Sequence, residues 1–176
     1  TISTSASVPG TVTYLITPTA NGCNGNPVTY VVTVYPNPVV NNATLTKTIC
    51  SGSSSAIAIS SNVAGATFTW VASGTAGITG YSAGSGNVIN QVLVNPGNTP
   101  GTVTYSIVPS ANGCVGAITN YTVIVNPQAY ITSGPLLQSI CTGFNTWIPL
   151  TSNVAGSTFS WTATGDPFIS GYAAGS

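Results

Sequence analysis

Two side chains of this 176-residue chain carry a formal charge, Lys47 and Asp166, and four carry a thiol, Cys23, Cys50, Cys114 and Cys141. Histidine, glutamate, arginine and methionine do not occur. General acid–base catalysis needs a positioned group that titrates near the working pH, and a nucleophilic serine or cysteine needs a base beside it. With neither histidine nor glutamate to serve, no enzyme is expected. Zinc wants three or four Cys, His or carboxylate ligands and calcium several carboxylates, so one Asp and four scattered thiols predict no metal site and no cofactor. A single lysine cannot neutralise a phosphate backbone, which excludes a nucleic-acid partner.

The thiols are the chemistry that remains. They are spaced by 27, 64 and 27 residues, and four cysteines allow three pairings. A disulfide suits an oxidising, extracellular setting. One pairing joins Cys50 to Cys114 and leaves Cys23 and Cys141 to partners in flanking repeats; a loop of that length would contribute ~4 kcal/mol in the chain-entropy model. A second joins Cys23 to Cys50 and Cys114 to Cys141, stapling neighbouring domains together. The preferred expectation is the Cys50–Cys114 bridge, because each domain then closes itself; buried free thiols are the third reading. No CxxC occurs, so neither a redox nor a metal motif has support.

Those spacings belong to a wider regularity. "SNVAGATFTW" at 61–70 returns as "SNVAGSTFSW" at 152–161, and "PGTVTY" at 9–14 returns at 100–105. At an offset of 91 residues, 38 of 85 overlapping positions are identical without a gap. A period this long suits a small sandwich domain better than a solenoid repeat. Thr1 aligns with Val92 and Ser176 with Ser85, both within a repeat. The expectation is a window on a longer array, or a fibre segment whose neighbours complete the halves.

Apolar residues alternate with period two and nowhere recur at helical spacing. Val103, Tyr105 and Ile107 share one face of "TVTYSIVP", as Val12, Tyr14 and Ile16 share one face of "TVTYLITP". "YVVTV" at 30–34 and "YTVIV" at 121–125 agree in the same way. Leu45 and Ile49 match Leu136 and Ile140. Strands are predicted over 44–50, 55–61, 66–72, 88–94, 102–109 and 118–125, with a weaker one near 78–81. Short strands separated by Gly, Asn and Pro turns read as an all-β sandwich of immunoglobulin-like type. The predicted core is Phe68, Trp70, Tyr105, Tyr121 and Val123, with Phe159 and Trp161 in the next copy. Prolines after strands, in "YPNP" at 35–38 and "NPQ" at 126–128, end the ladders and stiffen the links. The domains are therefore the C-terminal part of one repeat over 1–36, a complete sandwich over 37–126, and the N-terminal part of the next over 127–176. Strung end to end, they make a rod.

Single features add little. The glycine-rich "GYSAGSGN" at 80–87 lacks the helix and lysine of a phosphate loop and reads as a loop. Trp147 aligns with Ala56 and is expected to face a neighbour or solvent. Lys47 aligns with Gln138 and reads as an outward, solvated side chain. "NAT" at 42 and "NYT" at 120 match a glycosylation acceptor. Charged residues make up 1 % of the chain and apolar ones 43 %, so the chain should fold rather than stay disordered, with a neutral surface that favours association.

Taken together, "ICSG", "SNVAG-TF-W", "GYSAGSGN", "TPGTVTY" and "ANGC" resemble the PKD-like, immunoglobulin-like repeats found in tandem in very large surface and secreted proteins of the Bacteroidota. These include gliding and adhesion proteins. The resemblance covers essentially the whole chain. It implies a location at the cell surface, often by the type IX secretion route, and no catalytic residues. The expected role is a spacer or body of an extracellular fibre or giant adhesin. The expected partners are adjacent copies or repeats of the same protein, with glycan or surface recognition through the loops as the alternative.

Overall fold

Gly, Pro and Asn interrupt the chain too often for a helix to nucleate. In the computed structural model, which describes residues 1–135 and 137–176, every regular element among the described residues is a strand. They are β1 (Gly10–Ile16), β2 (Thr19–Ala20), β3 (Cys23–Asn24), β4 (Val28–Val34), β5 (Thr46–Cys50), β6 (Ser53–Ser54) and β7 (Ile57–Ala58), followed by β8 (Thr67–Gly74) and β9 (Gly84–Ser85). The remainder are β10 (Val88–Ile89), β11 (Val92–Leu93), β12 (Gly101–Ala111), β13 (Cys114–Val115) and β14 (Thr119–Asn126).

One sheet runs β5-β14-β12-β8-β9, with β13 folded back on the end of β12. β5 lies parallel to β14, and the other pairs are antiparallel. The opposite layer is made of shorter pieces. β6 pairs with β11 and β7 with β10, flanked by bridges from Val40 to Ser61 and from Thr79 to Val94. Strict alternation along β12 turns Val103, Tyr105 and Ile107 inward, all fully buried, while Thr102, Thr104 and Ser106 face out. Phe68, Trp70, Tyr121 and Val123 lie in the same core, which Ile89 and Leu93 complete from the second layer.

The segments expected as single strands over 55–61 and 88–94 are both interrupted: the first keeps β7 and a bridge at Ser61, and the second divides into β10 and β11. Buried Ser55 is the reason: its hydroxyl donates to the Ile89 carbonyl at 2.9 Å and accepts from the Gln91 N–H at 2.9 Å, taking the place of ladder bonds. Ala56 follows in the left-handed region at φ 40°. Lys47 corrects a second expectation. It is half-buried and not solvated, and its Nζ donates to the carbonyls of Ser55 at 2.8 Å and Ala56 at 3.3 Å, bracing the kink.

The glycine-rich loop exists to receive aromatic rings. A Cβ on Gly84 would lie 2.6 Å from the Trp70 ring, and one on Gly74 would lie 2.7 Å from the Tyr81 ring. The indole N–H then reaches the Ser82 carbonyl at 3.2 Å. Trp161 repeats the arrangement with Gly175 and the Ala173 carbonyl.

Outside the sandwich, β1 and β4 form a hairpin whose register reproduces that of β12 and β14, each partner numbered 91 lower: Val12↔Val32 answers Val103↔Val123, and Tyr14↔Tyr30 answers Tyr105↔Tyr121. Among the described residues of 127–176 only isolated bridges form, Ile131 with Ser152 and Trp161 with Gly175. The expected burial of Phe159 and Trp161 is corrected accordingly. Phe159 is half-buried and Trp161 is 48 % exposed, because no strand lies beside them as β12 lies beside Phe68 and Trp70. Leu136 lies outside the described residues.

Candidate interaction surfaces

With so little titratable chemistry, the surfaces that matter are the two ends of the sandwich, its outer face and the hairpin. At one end the chain arrives. Pro38 packs so closely on the turn after β13 that a Cβ on Gly116 would lie 1.8 Å from the Pro38 carbonyl oxygen. Asn62 clamps the arriving segment: its Oδ1 accepts from the Val39 N–H at 2.7 Å, and its Nδ2 lies 3.5 Å from the Asn37 carbonyl. Asn153 does the same to the next link, accepting from the Tyr130 N–H at 2.8 Å and donating to the Gln128 carbonyl at 3.2 Å. The repeated "SNVAG" is thus a linker clamp, a role that its polar, loop-like composition conceals in the sequence. The adjoining serine serves the same turn, the Ser61 hydroxyl accepting from the Val63 N–H and the Ser152 hydroxyl from the Val154 N–H.

At the other end the chain departs. Asn126 pairs with Cys50, and its carbonyl accepts from the Ser51 N–H. The "PGNTPG" loop lies here, lining with Thr75–Ile78 a groove of about 230 Å³. Asn153 Nδ2 comes within 3.5 Å of Asn98 Oδ1 of that loop. A separate cleft before the sandwich, about 250 Å³, is lined by Ile2–Ala6, Val34–Asn37 and Asn62.

This polarity overturns the Cys50–Cys114 bridge. Cys50 sits beside Asn126 at the departing end, whereas Cys114 pairs with Ala111 at the arriving end. The length of β12, eleven residues or about 36 Å, separates them, and a disulfide tolerates no more than about 7 Å between Cα atoms. All four cysteines are free thiols; Cys114 is half-buried and Cys23, Cys50 and Cys141 are exposed.

The described residues contain no cluster of three His, Cys, Asp or Glu side chains. The most organised polar group is structural: the Tyr105 hydroxyl donates to Gln91 Oε1 at 2.9 Å, and the Gln91 amide donates to the Ser82 carbonyl at 3.0 Å. Burial pushes the Tyr105 hydroxyl above its ordinary range, offset in part by the Ser55 hydroxyl. The "NAT" and "NYT" asparagines are engaged as well. Asn42 donates to the Ala58 carbonyl and accepts from the Ser60 N–H, and Asn120 accepts from the Ser106 hydroxyl.

The PKD-like domain family matches residues 1–38 and again 47–129. The chain belongs to the PKD-like domain family. No curated protein matches it. The PKD-like sandwich is the β5 to β14 unit. Its aromatics Phe68, Trp70, Tyr105 and Tyr121 are buried and Tyr81 is half-buried. The exposed aromatics, among them Tyr14, Tyr30, Phe144, Trp147 at 79 % and Phe168, all belong to the flanking segments. PKD-like domains are in general non-catalytic modules of extracellular or surface proteins, and no helix among the described residues is long and apolar enough to cross a membrane.

Proposed function

We propose that this PKD-like chain is a structural repeat, the spacer or body of an extracellular fibre or giant cell-surface adhesin, with units at 1–36, 37–126 and 127–176 repeating every 91 residues. The observation that carries this is the polarity of the complete sandwich: the chain arrives at Pro38 at one end and departs at Asn126 at the other. Such a module adds its whole length to a string of domains. The two asparagine clamps, 91 residues apart, hold successive links in one geometry. A surface of Ser, Thr and Asn with almost no charge carries little repulsion between neighbours. Catalysis has no part in this role. Bacteroidota surface proteins exported by the type IX route supply a setting that fits it.

A second reading has one observation in its favour. Thr46, Thr122 and Thr104 stand side by side across β5, β14 and β12 on the outer face, a flat hydroxyl surface suited to glycan or another polar surface. Two measurements separate the readings. Protease shaving of intact cells should release peptides of this chain, and the purified chain should show no saturable binding across a glycan panel. Saturable binding abolished by Thr104→Ala and Thr122→Ala establishes the binding module instead, and peptides recovered only after lysis remove the surface role.

A further inference from the structure

We infer that the β5–β14 ladder is a mechanical clamp, through which the complete sandwich carries tension along the chain as a shear load. The placement of two strands is the reason. β5 is the first strand of the main sheet that the arriving chain enters, and β14 is the last before the chain departs at Asn126. They are immediate neighbours and run parallel, Thr46 beside Thr122 and Cys50 beside Asn126. Tension that enters ahead of Thr46 draws β5 toward the arriving end, and tension that leaves through Asn126 draws β14 toward the departing end. The two strands are pulled in opposite directions along their own length, so every bond between them is loaded at once. An antiparallel pair would bring both chain ends to the same end of the ladder, and its bonds would open one by one.

The ladder is closed at both ends. At one, the Thr122 N–H donates to the Leu45 carbonyl at 2.9 Å, and at the other the Ser51 N–H donates to the Asn126 carbonyl at 2.8 Å. With the register between them, these bonds turn the N–H groups of Lys47 and Ile49 toward β14 and that of Thr48 toward the open edge of the sheet. Side chains keep β5 from slipping. Ile49 is buried in the core, and Lys47 Nζ holds the carbonyls of Ser55 and Ala56 in the opposite layer. Buried Asn95 ties both strands together where the chain departs, its N–H donating to the Ser51 hydroxyl at 2.9 Å and its Nδ2 to the Val125 carbonyl at 2.8 Å. Ahead of β5, the arriving segment is held to the second layer by the single bridge from Val40 to Ser61 and the bonds around it. That short attachment yields first and passes the load to the ladder.

This inference rests on the structural-repeat reading, in which tension along the chain is the load, but is tested apart from it. Optical tweezers with handles at the two ends of the full chain should show the sandwich giving way in a main step of about 250 Å, the extended length of its residues less its folded length. The same sandwich should open at a several-fold lower force when one handle is moved to the exposed Cys50 thiol and the other stays at the C-terminal end, in a chain carrying Cys23→Ser, Cys114→Ser and Cys141→Ser. That geometry parts Cys50 from Asn126 first and frees an unaltered ladder bond by bond. Lys47→Pro, which removes a ladder donor, should lower the end-to-end force several-fold, whereas Thr48→Pro should keep most of it, since an edge strand tolerates proline where its N–H faces outward. Gly84→Ala acts at β9, the far edge of the sheet from β5. It should shift the denaturant midpoint and leave the force nearly unchanged, because forced unfolding reads the barrier and not the equilibrium. Three results overturn the inference. They are equal forces in the two pulling geometries, a Thr48→Pro chain as weak as Lys47→Pro, and a Gly84→Ala chain whose force falls with its midpoint. The comparison of geometries decides even where Lys47→Pro fails to fold. None of these outcomes touches the spacer reading, which stands on the axial repeat of the natural assembly.

Discussion

Ser55 shows how a single hydroxyl can decide local structure in a chain with so few polar specialists. Fully buried, it replaces two ladder bonds and breaks both strands of the second layer. Ser55→Ala leaves the Gln91 N–H and the Ile89 carbonyl without that partner, and denaturant unfolding should show a loss of about 2 kcal/mol. Gly84→Ala drives a methyl into the Trp70 ring, and the same measurement should give a loss of about 1–3 kcal/mol, with Trp70 fluorescence altered. Tyr105 sets the alkaline limit. Its neutral form is favoured in the fold, so its folded pKa lies above the unfolded value of about 10. The stability this contributes is full below that pH and is lost as pH rises through the folded value. Melting temperature should fall above pH 10 in the parent and less steeply in Tyr105→Phe. None of this was legible in the sequence, where Ser55 sits in the run of small residues from Ser51 to Ala56 and Gln91 is the second of two polar residues between Ile89 and Val92. What the sequence did disclose were the inward aromatics of the long strands, because period-two alternation marks them without reference to partners.

At the scale of elements, the long strands β8, β12 and β14 fall within two residues of their predicted bounds, for each is a continuous alternating run. The second layer was harder to read, since bonds between distant side chains break it and no local pattern records them. The cysteines were misjudged for a related reason. Spacing alone gives separation along the chain, whereas the parallel placement of β5 beside β14 sends Cys50 to the end opposite Cys114. A chain carrying Cys23→Ser and Cys141→Ser, held in air as a monomer, should therefore keep both remaining thiols open to alkylation without reductant. A product two protons lighter that resists alkylation would restore the bridge within the domain.

For the whole molecule, near-absence of charge has a direct consequence. With one Lys, one Asp and no His, little proton binding changes on unfolding between about pH 5 and pH 9. Thermal melts over that range should superimpose. The same neutrality leaves contacts along the chain to shape, hydrogen bonds and apolar burial, as at the Val39 N–H bonded to Asn62 and the Tyr130 N–H bonded to Asn153. β12, at eleven residues, spans about 36 Å, so in the proposed string a sandwich plus its short proline link would advance by about 40 Å. The measurement that goes most directly to the account is therefore the axial repeat of the natural assembly by electron microscopy. End-to-end PKD-like domains predict thin rods with a period near 40 Å along their length. Compact particles, or a period half that or less, would contradict the end-to-end arrangement on which the proposed role depends.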